Sequence, residues 1–272
     1  MRALLWVCQL CRWAWRLRSK GFSRLPELHP AFLLPPIAHR GLHGAGRSEN
    51  SVAAFDAAIE KGYAIELDIQ MSADGEAMVF HDYELSRLTS EKGPTRQRSA
   101  AELGAMTLAD GSHIPTLEAV LKQVSGQVGV LIEIKDQDGA MGANIGPLEA
   151  RVAEVLNEYR GPVAVMSLNP HAVYHMQRLA PDVPRGITTC RFSAEHWPLL
   201  PRKRADELVE IPDFEPTESC FISHHFVSLE LPAVERIRQG GDPVLSWTIK
   251  SEADEHEARR LADNITFEGY LP

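Results

Sequence analysis

Cysteine is scarce in this chain of 272 residues: Cys8, Cys11, Cys190 and Cys220 are the only four. They are too few and too scattered for a disulfide framework, so a reducing compartment is expected. Cys8-x-x-Cys11 has no second ligand pair nearby, which weakens a zinc or redox reading. There is no Gly-x-Gly-x-x-Gly turn to hold a dinucleotide and no Gly-x-Ser-x-Gly elbow to carry a serine nucleophile. The apolar stretch before Arg12 is about ten residues, too short to span a bilayer. Acidic residues are missing from positions 1–24, which hold Arg2, Arg12, Arg16, Arg18, Lys20 and Arg24. The rest of the chain therefore carries 22 basic against 37 acidic groups, a net −15. So acidic a body argues against nucleic-acid binding.

What remains is an ordinary globular composition, 44% hydrophobic and 24% charged, with length for one large domain or two small ones. Trp6, Leu10, Trp13 and Leu17 recur at helical spacing, with Arg12 and Arg16 to one side of that stripe. This is an imperfect basic amphipathic helix over residues 1–20 that suits peripheral contact with a membrane. Packing on the domain or on another subunit is the plainer alternative. One preceding arginine and no small-residue cleavage site make a secretory signal the lesser reading. A cytoplasmic enzyme, peripheral on the inner face of the membrane, is the expected setting. Residues 1–36 are read as this helix and a proline-rich linker (21–36), and 37–272 as the domain.

Within the domain, short apolar runs alternate with amphipathic segments, the signal for βα units around a parallel sheet. Strands are expected at 37–39, 64–69, 128–134, 163–167, 185–189, 220–223, 244–248 and 264–267. Helices are expected at 51–61, 116–123, 146–159, 171–179, 231–239 and 251–261, the first capped by Ser48 or Asn50 and closed by Gly62. Eight strands over this length predict an α/β TIM (β/α)8 barrel, with an open doubly wound sheet as runner-up. Residues 83–113 break the rhythm and read as a short insertion after the second strand, with a small helix at 99–103. Residues 192–218, rich in proline, read as irregular chain wrapping the loop face.

Side chains alternate along a strand, so Glu66 and Asp68 share one face. Alone, such a pair would be read as a salt-bridged strand facing solvent. On a half-buried strand, two like charges resist desolvation unless paired, and a hard divalent cation is the simplest partner. In a barrel, chemistry sits at the carboxyl ends of the strands. His39 and Arg40 follow the first strand, His81 the hairpin after the second, and Glu133 and Lys135 end the third. Ser167, His224 and Trp247 also fall at strand ends. Packing roles suit Ser167 and His224, whereas Trp247 suits contact with substrate. Asp82 is balanced between orienting a histidine and shaping a turn. His171, His175, His196 and His225 have no metal-site spacing.

His39-Arg40-Gly41, Glu49-Asn50, Glu66-Leu67-Asp68, Asp74-Gly75, His81-Asp82, Leu85 with Arg87 and Thr89, Ile114-Pro115-Thr116-Leu117 and Glu133-Ile134-Lys135 together resemble the glycerophosphodiester phosphodiesterases. The likeness is dense over 37–135 and sparser through Ser167 and Trp247. It implies a TIM barrel that hydrolyses small glycerophosphodiesters to glycerol 3-phosphate and an alcohol, using one divalent cation, Mg²⁺ or Ca²⁺. It implies Glu66, Asp68 and Glu133 as metal ligands, His39 and His81 as the acid–base pair, and Arg40 and Lys135 as phosphate contacts. Many relatives carry an acid directly after the threonine matching Thr266; here Phe267 stands there, which puts the last rim position in question. The competing expectations are a lysophospholipase D-like or cyclising phosphodiesterase acting on membrane lysolipids, and a catalytically silent membrane-associated barrel.

Overall fold

The computed structural model describes residues 25–198 and 200–272, so the helix expected over 1–20 lies outside the described residues. Nine strands follow in chain order: β1 (Ile37–Ala38), β2 (Ala64–Met71), β3 (Ala77–Val79), β4 (Val130–Ile134), β5 (Val163–Ser167), β6 (Arg185–Thr189), β7 (Phe221–His225), β8 (Val244–Ile249) and β9 (Asn264–Phe267). All pair in parallel except β3, which folds back antiparallel on the end of β2. β1 hydrogen-bonds to both β9 and β2, closing the other eight strands into a TIM barrel. The runner-up open sheet is excluded by that closure.

Both faces of these strands are covered, which is why they read as near-continuous apolar runs. On β2, Ile65, Leu67 and Ile69 face outward into the helix layer, leaving Glu66 and Asp68 to the barrel interior. That layer comprises α1 (Val52–Lys61), α2 (Ala100–Ala105), α3 (Leu117–Val124), α4 (Pro147–Glu158), α5 (Pro170–Leu179), α6 (Arg202–Val209), α7 (Pro232–Gln239) and α8 (Glu252–Ala258). Gly62, at φ 72°, ends α1 as its spacing predicts. The cap at the other end is Ser51, which accepts from the Ala54 amide, and neither Ser48 nor Asn50. Asn50 is used for the site instead. α6 corrects the expectation of irregular chain over 192–218. Its sequence, Arg-Lys-Arg-Ala-Asp-Glu-Leu-Val, buries only Ala205 and Leu208, too weak a periodic signal to see beforehand.

The amino-terminal end of the barrel is apolar. Ile37, Ala64, Leu131, Ala164, Phe221 and Leu245 fill it, and Phe32 from a short 3₁₀ turn (Pro30–Phe32) plugs the floor. Gly129 leaves room for that plug, since a Cβ there would sit 2.9 Å from the Phe32 ring. Part of the stretch read as linker, Leu28 and Phe32, is thus packed into the barrel. The insertion after β3 is also better built than its polar sequence suggests. Leu85, Leu103, Leu108 and Ile114 bury a small core of their own beneath Phe80. Among the described residues, no helix is long and apolar enough to cross a membrane.

Ser167 and His224 serve packing. Ser167 Oγ donates to the Ile134 carbonyl (2.7 Å), and His224 is fully buried between Thr189 Oγ1 and Ser228 Oγ. Burial drives the His224 imidazole down from 6.5 to about 4. An unfolded chain would take up a proton that the folded barrel refuses, so this contribution is complete above pH 6.5 and is lost as pH falls towards 4. The loss amounts to about 2 kcal/mol between pH 7 and 5. In urea melts, His224→Gln is expected to flatten the fall in stability over that interval. An unchanged slope would mean that the buried ring is not its source. Glu66, whose carboxyl is raised, acts with the opposite sign in both proteins and cancels in the comparison.

Candidate active site

The carboxyl-terminal end of the barrel holds a cavity of about 560 Å³ lined by His39, Arg40, Glu66, His81, Glu133, Lys135 and Trp247 among others. The eight residues singled out from sequence therefore converge: seven line the cavity, and Asp68 lies against them, paired with Lys135 and Arg40.

Glu66 and Asp68 reach the interior from β2, and Glu133 arrives beside them because Asp68 and Glu133 are register partners. Their carboxylates lie within 4.8 Å of one another, and none is more than 8% exposed. Lys135 Nζ bridges two of the three, at 2.7 Å from Asp68 and 2.6 Å from Glu133. Asp68 also accepts from Asn50 Nδ2 (2.9 Å), whose own Oδ1 accepts from the Asp68 amide (3.3 Å). Arg40 Nε stands 3.2 Å from Asp68, close enough for charge pairing but without hydrogen-bond alignment. Burial alone would raise the Asp68 carboxyl, yet Lys135, His81 and Arg40 outweigh it and hold it well below the carboxylate range. Glu66 is the opposite case. Its Oε2 accepts from the Arg40 amide (3.0 Å), and burial, then Asp68 and Glu133, push it well above its ordinary value.

That amide is presented by an unusual turn. Arg40 (φ 55°) and Gly41 (φ 78°) are both left-handed, and a Cβ on Gly41 would meet the Ala54 and Phe55 side chains at 2.9 Å. Only glycine lets the first βα turn pass so close to α1. The Arg40 guanidinium then pairs with Glu49 (2.7 Å), which is shared with Arg87. Arg87 in turn holds Asp82, and Asp82 lies 2.6 Å from His81 Nδ1. A continuous chain of charges thus runs from the carboxylate triad to His81. Glu49, Asp82 and Arg87 were visible as motif residues, but the chain that joins them was not.

His39 lies just beyond β1, with Nε2 4.0 Å from Glu66 and Nδ1 2.6 Å from Glu268 Oε2. Burial holds the His39 imidazole below its ordinary value, although its bond to Glu268 opposes that shift. Sequence reasoning missed Glu268 and its second neighbour, His43 at 3.5 Å. The question left by Phe267 is answered one residue later: the rim acid is present, at 268. The signal available was only the oddity of the segment Thr266-Phe267-Glu268. Trp247 is anchored by Nε1–H to the Ser223 carbonyl (2.9 Å) and packs against His225, ring centroids 5.0 Å apart and planes tilted by 59°. Together with Met141, Met166, Leu168 and Trp197 it makes one wall of the cavity apolar.

The sequence pattern of the glycerophosphoryl diester phosphodiesterase family matches residues 39–264. The chain belongs to this family. It is 32% identical over 226 residues to YhdW of Bacillus subtilis, a protein assigned to these enzymes, across 79% of this chain and 86% of that one. It is 26% identical over 230 residues to a glycerophosphodiester phosphodiesterase of Caldanaerobacter subterraneus, covering 80% and 86%. Among solved structures, an Oleispira antarctica phosphodiesterase in complex with the product sn-glycerol-3-phosphate superposes with a TM-score of 0.70 at 25% identity, covering 88% and 94%. As a member of the family the chain is a phosphoric diester hydrolase acting on glycerophosphodiesters. The donor set of Glu66, Asp68 and Glu133 fits a hard divalent cation: all oxygen, buried, and with excess negative charge that leaves Glu66 unfavourably placed as a bare carboxylate.

Proposed function

We propose that this enzyme cleaves small glycerophosphodiesters to glycerol 3-phosphate and an alcohol, with one divalent cation, Mg²⁺ or Ca²⁺, held by Glu66, Asp68 and Glu133, and with His39 and His81 as the proton-transfer pair. The observation that carries it is that Glu66, Glu133 and both histidines line one cavity, with Asp68 completing the buried carboxylate triad beside them. When bound, the cation polarises a phosphoryl oxygen and offsets charge developing there. Arg40 and Lys135 suit the phosphate oxygens, and removing a donor of that kind typically costs about 10²–10³ in rate.

His39 is assigned the base. Its Nδ1–H is committed to Glu268, so the Nε2 lone pair is left beside Glu66. It takes the proton of the nucleophile, either a water or the neighbouring glycerol hydroxyl, the latter giving a cyclic phosphate that a water then opens. His81 is assigned the acid. Its side chain is 32% exposed at the more open side of the cavity, where a leaving alcohol can depart, and Asp82 fixes its ring. Trp247 offers a flat apolar face to the glycerol or the leaving group.

The test is hydrolysis of glycerophosphocholine and glycerophosphoethanolamine after EDTA treatment, with Mg²⁺ or Ca²⁺ added back. Metal-restored release of glycerol 3-phosphate is expected; full turnover in EDTA would overturn the metal reading. In the same assay an activated leaving group should rescue His81→Ala but not His39→Ala. Equal loss in both would sink the assignment of roles.

The apolar wall of Met141, Met166, Leu168 and Trp197 favours a second reading, a lysophospholipid whose acyl chain lies along it. Residues 1–20 would suit such an enzyme for peripheral contact with the inner face of a membrane. Turnover of lysophosphatidylcholine in detergent faster than glycerophosphocholine would favour this reading over the first.

A further inference from the structure

We propose that Glu268 is the positioning residue of His39, holding the ring in the tautomer and orientation that its proton transfer needs; this rests on the proton-transfer reading of His39.

The geometry is built at the seam where the barrel closes. The His39 amide donates to the Phe267 carbonyl (2.9 Å), and the next amide, that of Glu268, donates to Ile249 (2.9 Å). The backbones of acid and histidine are therefore fixed to each other through the β1–β9–β8 ladder. Glu268 Oε2 reaches His39 Nδ1 at 2.6 Å, while Oε1 takes the Lys250 ammonium at 2.6 Å. Lys250 directly follows β8, so three consecutive barrel strands contribute to the unit. His43, on the turn after β1, stands 3.5 Å from the same Oε2.

A carboxylate on Nδ1 forces the proton of the neutral ring to that nitrogen and leaves Nε2 free as an acceptor. His81 is held by the same kind of contact, which orients the ring whichever way its proton moves. Its Nδ1 meets Asp82 at 2.6 Å, and Asp82 is backed by Arg87, as Glu268 is backed by Lys250. The site thus repeats one device on both histidines, a ring held by a carboxylate that is itself held by a cation. In the Asp82 case the carboxylate is the next residue in the chain. In the Glu268 case it comes from 229 positions away.

Kinetics of Glu268→Ala, Glu268→Gln, His39→Ala and the double variant His39→Ala/Glu268→Ala, on the diester turned over fastest, test the proposal. In Glu268→Ala, kcat is expected to fall by about 10²-fold with KM within about twofold, because a general base contributes about 10²–10⁴ when properly placed. Glu268→Gln keeps an acceptor for Nδ1–H and should recover about tenfold of that loss. In the His39→Ala background, removing Glu268 should cost less than about twofold, since there is no ring left to orient. A wild-type kcat in Glu268→Ala, or the same fold loss with and without His39, would reduce Glu268 to a packing residue. An unchanged kcat in His39→Ala would instead overturn the proton-transfer reading, and this proposal with it.

Discussion

Glu66→Gln is expected to make the metal-free protein more stable and the enzyme nearly inactive. The Glu66 carboxyl is buried, and its neighbours Asp68 and Glu133 add to the penalty on its charged form, so the folded state favours the neutral acid. A group raised in this way lends stability at low pH and loses it as pH rises through the folded value. As pH rises, the wild-type protein must either hold a proton that the unfolded chain releases or carry a charge that burial disfavours, and glutamine does neither. The substituted amide would still present a carbonyl to the Arg40 amide, so the turn after β1 keeps its anchor. Each kcal/mol relieved is worth about 2–4 °C in a domain of this size. In EDTA the thermal midpoint should rise, and the gain should grow from pH 5 to 8. With Mg²⁺ or Ca²⁺ present, kcat should be lower by about 10³, because one of three anionic ligands has become neutral. A lower midpoint in EDTA would show that Glu66 is there for the fold and not for a cation.

Lys135→Met should behave in the opposite sense. Burial alone would lower the Lys135 ammonium, but Asp68 and Glu133 outweigh it and push it above its ordinary value. Removing it takes the ammonium from two buried carboxylates, of which Asp68 keeps Asn50 and Arg40, and breaking a buried ion pair from one side costs about 3–5 kcal/mol. The midpoint in EDTA should fall accordingly. Adding a divalent cation should then stabilise the variant more than the wild type, since the site has lost a competing positive charge. A ligand at a hundred times its dissociation constant contributes about 2.7 kcal/mol, enough to restore much of the loss. Activity should stay low even when stability returns, by about 10²–10³ in kcat, because the phosphate has lost a charged donor. Melts with and without metal, beside kcat at saturating metal, separate the two effects. Equal metal-induced shifts in variant and wild type would argue against a cation at this triad.

The carboxylates illustrate what local pattern can carry. Glu66-x-Asp68 and Glu133-x-Lys135 each place two groups on one face, because side chains alternate along a strand whatever surrounds it. The repeated βα rhythm follows from each strand being covered on both sides, so the eight barrel strands and the functional rim were legible in one dimension, whereas α6 was not. Helix ends were legible where the residue chemistry is strong, as at Gly62, and misread where several cap residues crowd together, as at Ser48, Asn50 and Ser51.

Closure of the barrel decided the rest. It brings β9 against β1, and so Glu268 to His39 and the Asn264 side chain to the Phe32 carbonyl, contacts spanning over two hundred residues. It turns Phe32 from linker into floor, whereas the turn after β1 makes Asn50, a plausible cap, into a clamp on Asp68 of the neighbouring strand. No periodicity encodes such pairs, because hydrogen bonds and packing across a seam depend on which strands meet and in what register. The chain's pattern of alternation specifies which faces turn inward, and the register between β1, β8 and β9 specifies which side chains find one another there.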